Sequence, residues 1–282
     1  MHIKAGFPLI GDISPDVPPD HLIGLTGAKG GRDWLSRLSY GERKHVISLM
    51  GDTSDPKMLA RDGWLRWDHG LWSGLWYGSP QGWGLMPGHG HQDFGGFELH
   101  FDDEPVFVDP GRGSYGEEGE PALYRSGRVH NILLIDGEDP YPPNKPYYNN
   151  SFRQYMCGNT PRLDANSQVV IEHDGYTRLS GVGTVQRCFK PSSNGWRIIS
   201  RVDGEGKHTI IQQFVTPHQV KINGKEALVT GKRSYHLRAN FPWRMLPVTL
   251  WQAYRKGLPG TMIVLEETVT LPFASNICLE AI

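Results

Sequence analysis

Cysteine is scarce in this sequence: Cys157, Cys188 and Cys278 are the whole complement of 282 residues, and no two form a CxxC pair. That argues against a disulfide framework or a thiolate zinc site, whose ligands come in close-set pairs. Nor is there an excess of one charge. Lys and Arg number 29 against 30 Asp and Glu, so the basic footprint that nucleic acid requires is missing, as are the like-charge blocks of a tail. Long apolar runs are missing too: nothing approaches the roughly 20 apolar residues of a membrane-spanning helix. The opening MHIKAGFPLIGDISPDVPPD holds four prolines and no apolar core of signal-peptide length. A cytoplasmic protein is expected, or a mature or truncated form of an exported one.

Turn formers and aromatics are plentiful instead, with 35 Gly, 21 Pro, 9 Trp and 12 His. Residues 1–55 read as a short helical segment. In RDWLSRLSYGERKHVISLM, apolar positions at Trp34, Leu35 and Leu38 and again at Val46, Ile47 and Met50 fit two short amphipathic helices, with Ser39 as N-cap of the second. So few helices cannot bury a core alone and must pack on something larger. From residue 56 to 282 the signals are those of strands. FELHF and PVFVD flank an acidic turn, VHNILLID runs into Asp-Gly, and QVKINGKEALV places Asn223-Gly224 between alternating runs, the strongest short-range hairpin signal. Many short strands without helical periods between them predict a mainly β chain, an antiparallel multi-stranded β-sandwich.

The chemistry concentrates between Leu85 and Gly111, LMPGHGHQDFGGFELHFDDEPVFVDPG. His89 and His91, two apart, point to one side of an extended chain, and Asp93 would join them. Imidazole with carboxylate suits zinc or a similar divalent ion. The competing reading is turn chemistry, which Asp109 before Pro110-Gly111 also fits. If Phe101 pairs with Pro105, Asp109 lies opposite Phe97 and His91 lies roughly 20 Å away along a straight strand. Uniting them requires the chain to fold back, and Gly95-Gly96 is where it could. His130 is a third candidate ligand. Cupins also bind metal through an HxH on a β-sandwich, but their pattern wants a glutamate close behind the second histidine; here Glu98 follows only after six intervening residues. Trp64, Trp67, Trp72, Trp76, Tyr77 and Trp83 could form a sugar-stacking surface, although core packing is the stronger expectation. Tyr141, Tyr147 and Tyr148, in a polar Pro-bounded loop, are better placed for sugar.

The ordered set GHGHQDFGGFELHFDDEPVFVDPGRGSYG and then ALYRSGRVHNILLIDG resembles the heparinase II/III-like family of polysaccharide lyases. Its pattern is an HxHxD stretch, a strand ending in V-D-P-G, a following Tyr-Gly, and an Arg-rich approach to His-Asn. A fainter likeness continues through HDGYTRLSG and TVQRCF, and FPLIGDISPD looks like the close of the family's helical domain. The resemblance implies an (α/α) toroid followed by antiparallel sheets, of which this sequence carries the sheets and a stub of toroid.

It also implies a divalent metal, usually zinc, held by His91, Asp109 and His130, with His89 at the catalytic centre. A further catalytic tyrosine and an asparagine or histidine come from the toroid in the family, and no match to them is present, so an incomplete enzyme is expected. Tyr115, Arg125 and Arg128 are candidates for binding the sugar; an ordinary surface role is the competing reading for each arginine. The implied partner is an acidic polysaccharide such as a glycosaminoglycan or alginate, cleaved by β-elimination in the cell envelope or periplasm. The alternative is a non-catalytic carbohydrate-binding or polysaccharide-handling module with a structural metal.

Overall fold

The structure, a computed structural model, describes Ile10 and residues 37–50, 63–78, 91–141, 162–165 and 167–282. The helix expected around Trp34–Leu38 lies largely outside these residues, as does the boundary near residue 55. The second expected helix is present as α1 (Tyr40–Met50). Ser39 caps it: the Glu42 carboxylate accepts from the Ser39 amide at 2.8 Å and from its hydroxyl at 2.7 Å. This places the acceptor at the third helical position, as a capping box requires.

Sixteen strands follow among the described residues, in three antiparallel sheets. The first contains, in spatial order, β1 (Trp64–His69), β2 (Trp72–Tyr77), β3 (Phe97–Phe101) and β4 (Glu104–Phe107). The second orders β14 (Trp243–Ala253), β15 (Lys256–Thr270), β10 (Lys207–Thr216) and β5 (Leu133–Ile135). The third has eight strands. Its order begins β11 (Gln219–Asn223), β12 (Glu226–Thr230), β13 (Ser234–Arg238), β16 (Phe273–Ala281). It continues with β9 (Gly195–Gly204), β8 (Val182–Ser192), β7 (Val169–His173) and β6 (Arg162–Ala165). The expected antiparallel β-sandwich is what forms. A short helix α2 (Gly119–Arg125) and a 3-10 turn (Gly127–Val129) connect β4 to β5.

One core joins the three sheets. Trp72, Trp76, Phe97 and Phe107 of the first sheet meet Phe189, Trp196 and Ile277 of the third and Phe214 and Ile263 of the second. The tryptophans expected in the core are there: Trp72 and Trp76 are buried, while Trp64 and Trp67 pack half-buried beside them. Burial of each such ring contributes about 1.5–3 kcal/mol. Trp83 lies outside the described residues.

Two registers differ instructively from those expected. Phe101 pairs with Glu104 rather than Pro105, across a two-residue turn in which Asp102 holds φ 55°. A bulge at Val106 then restores the expected alignment, so that Leu99 faces Phe107. In the β11–β12 hairpin the loop is Gly224-Lys225, one residue later than the Asn-Gly signature, because Asn223 itself pairs with Glu226.

Sheet membership is a separate matter. β9 and β10 are separated only by Glu205-Gly206, yet they do not pair: β9 lies between β8 and β16, β10 between β15 and β5. The chain crosses between sheets here and again between β15 and β16. The Leu271 amide donates to the Gly206 carbonyl at 2.9 Å, fastening the two crossings together.

Candidate metal centre

The chain approaches β3 through a tight turn. Gly96 donates its amide to the Asp93 carbonyl at 2.8 Å, and Gly95 takes φ +79°, a conformation glycine adopts without penalty. A Cβ on Gly96 would lie 2.6 Å from that same carbonyl oxygen. The fold-back expected at Gly95-Gly96 is therefore real, and it returns His91 and Asp93 to the far end of β3. Gln92 anchors the arm. Its amide donates to the Arg125 carbonyl at 2.9 Å, and its side chain bonds both the amide and the carbonyl of Tyr141.

Asp109 follows the bulged β4, with its amide bonded to Glu98 at 3.2 Å and one carboxylate oxygen accepting from Gly111 at 2.9 Å. His130 closes the 3-10 turn rather than opening a strand; β5 begins only at Leu133. Asn131 holds this corner in place. Its side-chain nitrogen donates to the carbonyls of Phe97 and Val108, at 2.8 and 2.9 Å, and its oxygen accepts from the Val215 amide at 2.6 Å. One side chain thus stitches β3, the end of β4 and β10 around the site.

Three buried side chains converge there. Asp93, Asp109 and His130 each present a ligand atom within 4.8 Å of the other two. The His91 ring, also buried, has its centroid 5.6 Å from that of His130. His130 is wholly enclosed, and both ring nitrogens face acceptors: Nδ1 meets Asp109 Oδ2 at 2.8 Å and Nε2 meets the Tyr124 carbonyl at 3.0 Å. Two acceptors require two protons, so the metal-free ring is an imidazolium. Burial alone would depress its pKa, but the charge and hydrogen bond of Asp109, with Asp93 and the Tyr124 carbonyl, push it up to about 9.

The donor set fits a divalent metal. The Tyr124 carbonyl fixes the proton on Nε2 and leaves Nδ1 as the nitrogen directed at Asp109, the usual way a ligand imidazole is oriented from behind. Two carboxylates with imidazole suit zinc and similar borderline ions.

Other candidates are distributed as follows. His89 lies outside the described residues, as do Tyr147 and Tyr148. Tyr115 is 59% exposed, with the Arg112 guanidinium 4.4 Å over its ring. Arg125 forms a two-pronged ion pair with Glu117, at 2.9 and 3.0 Å. Arg128 is exposed, and its carbonyl accepts from Gln213. Tyr141, expected on a sugar-facing loop, is buried against the Phe94 ring at 5.0 Å, because Gln92 ties its backbone inward. Sequence reasoning missed the Tyr124 carbonyl, a backbone group that leaves no residue signal. It also missed the work of Asn131, for which the His-Asn step was the available clue.

The HDGYTR motif braces the loop beyond β5. Tyr176 donates its hydroxyl to the Leu133 carbonyl at 2.8 Å, and Arg178 reaches the carbonyls of Asp139 and Pro140. His173 is buried beside Phe94, and its Nδ1 accepts from the Gly175 amide at 3.2 Å. Burial first, and the Arg187 charge second, drive its pKa down to about 3.

In overall structure, 99% of this chain superposes on 45% of heparan sulfate lyase HepC from Pedobacter heparinus, with 14% identity and a TM-score of 0.68. Against a heparinase III, 79% of this chain superposes on 35% of that chain, with 15% identity and a TM-score of 0.61. The chain therefore spans less than half the length of these lyases, and at such identities the likeness is one of fold. No curated protein matches the sequence. Among the described residues no helix is long and apolar enough to cross a membrane. Residues 51–246 match the family described as heparinase II/III-like, C-terminal, and the chain belongs to that family.

Proposed function

We propose that this chain is the sheet portion of a polysaccharide lyase that cleaves a uronate-containing acidic polysaccharide by β-elimination, and that it holds zinc through His91, Asp109 and His130 with Asp93 alongside. Residues 1–55 are read as the close of a helical domain and 56–282 as the lyase's sheet domain. The observation that carries the reading is the enclosed His130–Asp109 pair, with Asp93 in ligand range and the His91 ring beside it. Bound zinc would supply a fixed positive charge that locks the loop ahead of β3 to the corner at His130.

The elimination itself falls to other side chains. A base takes the C5 proton of the uronate, the C4–O4 bond breaks, the leaving oxygen is protonated, and a C4=C5 double bond forms. Donors must neutralise the charge that develops on the carboxylate. His89, two residues before His91 in sequence, is assigned to that neutralisation or to proton transfer. The exposed Tyr115 ring offers a stacking face for sugar. Arg128 would pair with the uronate carboxylate in two-pronged fashion. Arg125 would have to exchange Glu117 for substrate, so its contribution is the smaller. The setting proposed is the cell envelope or periplasm.

The test is ultraviolet absorbance of unsaturated uronates during incubation with heparan-type, chondroitin-type and alginate polymers, beside zinc analysis of the purified chain. Product from this chain, or from it together with the helical region of a related lyase, supports the reading; none in either form sinks it. The complete burial of Asp93, Asp109 and His130 favours a second reading. The metal would be a staple in a non-catalytic carbohydrate-binding module, signalled by glycan binding without product.

A further inference from the structure

Arg187 belongs to β8 in the eight-stranded sheet, between Ile171 of β7 and Ser200 of β9. Only 2% of it is exposed. Its guanidinium lies against the rings of Phe97 and Phe189, 5.3 and 5.4 Å from their centroids. One nitrogen, Nη1, donates to two backbone carbonyls, Gly95 at 3.3 Å and Asn131 at 3.0 Å. Those carbonyls belong to the two separate segments of the candidate metal centre. Gly95 sits in the turn closed by Gly96 on Asp93, and Asn131 adjoins His130.

Folding alone gives little reason for an arginine here. Burial pushes its pKa down to about 9, and the neighbouring Tyr176, whose own pKa burial raises, is a neutral phenol rather than a counter-charge. Its Nε and Nη2 have no protein hydrogen-bond partner among the described residues. An apolar side chain of similar volume would avoid that desolvation, and such replacements of buried charge are often neutral or stabilising. What it could not do is donate to both carbonyls.

We propose that Arg187 is a positioning residue that clamps the Asp93–Gly96 turn to the His130–Asn131 corner, setting the spacing of the metal ligands from the opposite sheet. The inference rests on the metal reading above, and its test separates the two. Zinc affinity of the full chain is measured by chelator competition for wild type, Arg187→Met and Arg187→Lys, with amide hydrogen exchange on the metal-free proteins. Positioning residues behind metal ligands are typically worth about 10–100-fold in affinity. Arg187→Met should therefore weaken zinc binding at least about tenfold, and Arg187→Lys, which keeps the charge and can reach one carbonyl, should fall between it and wild type. Exchange should quicken together in residues 91–97 and 127–132 and stay unchanged in β9 and β16.

Affinity within about twofold of wild type in a folded Arg187→Met protein, or exchange that quickens evenly in every sheet, overturns the clamp. If neither variant folds, the guanidinium resonances of the wild-type protein decide. One slowly exchanging arginine whose signals shift on adding zinc supports the proposal, and no arginine responding refutes it. If wild type binds no zinc, the metal reading fails by itself. The clamp then stands or falls on whether Arg187→Met frees the two segments together.

Discussion

His130 and His173 are both fully enclosed, yet they are driven in opposite directions. His130 faces Asp109 and the Tyr124 carbonyl, two acceptors, and is held protonated, its pKa up to about 9. His173 accepts from the Gly175 amide and lies within the field of Arg187, and its pKa is down to about 3. Burial penalises the charged ring in each case. The neighbour decides whether the penalty is overcome. An imidazole beside a carboxylate can give up a proton and take a metal in its place, whereas His173, beside a guanidinium, is a neutral packing element.

The strongest way to break this contrast is Asp109→Asn. It strands His130 without a counter-charge, so zinc uptake should be lost and the metal-free protein destabilised by about 3–5 kcal/mol in urea. Retained zinc at wild-type stoichiometry would contradict the ligand assignment.

Next in size is the pH dependence of the metal-free protein. The folded pKa of His130 is raised, so its stabilisation is complete below the unfolded value near 6.5 and is lost as pH rises through about 9. That of His173 is lowered, so its neutral form costs nothing above about 6.5, and stability is lost as pH falls from there towards about 3. Each limb should have a slope of about 1.4 kcal/mol per pH unit. Denaturant midpoints should show His173→Gln flattening the acid limb alone and Asp109→Asn flattening the alkaline limb alone. Both variants changing both limbs would mean that the two sites are not independent.

A pair of glycines sharpens the comparison further. A Cβ at Gly96 would meet the Asp93 carbonyl at 2.6 Å, and one at Gly175 the Pro140 carbonyl at 2.7 Å. Alanine at either position should cost about 1–3 kcal/mol by crowding. Only Gly96→Ala moves the ligand-bearing turn, so chelator competition should find zinc affinity reduced there and preserved in Gly175→Ala. The smallest effect is expected from Tyr115→Ala. Its ring is 59% exposed, so stability should stay within about 0.5 kcal/mol while KM for a cleaved polysaccharide rises.

The parts of this molecule that were legible in the sequence are those governed by near neighbours. The FELHF and PVFVD runs around their acidic turn placed β3 and β4, Ser39 marked a helix start, and Gly95-Gly96 marked the fold-back. The ordered HxHxD, VDPG and RVHN segments named His91, Asp109 and His130 as ligands; the structure puts ligand atoms of Asp93, Asp109 and His130 within 4.8 Å of one another, with the His91 ring beside that of His130. Less legible was anything set by distant partners. Tyr141 looked like a sugar contact until Gln92, distant in sequence, proved to tie it inward. The bulge at Val106 left the Leu99–Phe107 alignment intact although the turn itself differed by one residue. Arg187 reads as one more residue of an alternating strand.

By itself, then, the sequence determined the strand content and the punctuation by turns, because side-chain period and backbone sterics act within a few residues. Only the tertiary structure decided that β9 and β10 part into different sheets, that His130 is charged and His173 neutral, and that Arg187 spans the sandwich to both loops. Each depends on a counter-charge, a carbonyl or a packing face contributed from far along the chain, and such groups acquire positions only when the sheets close on their common core.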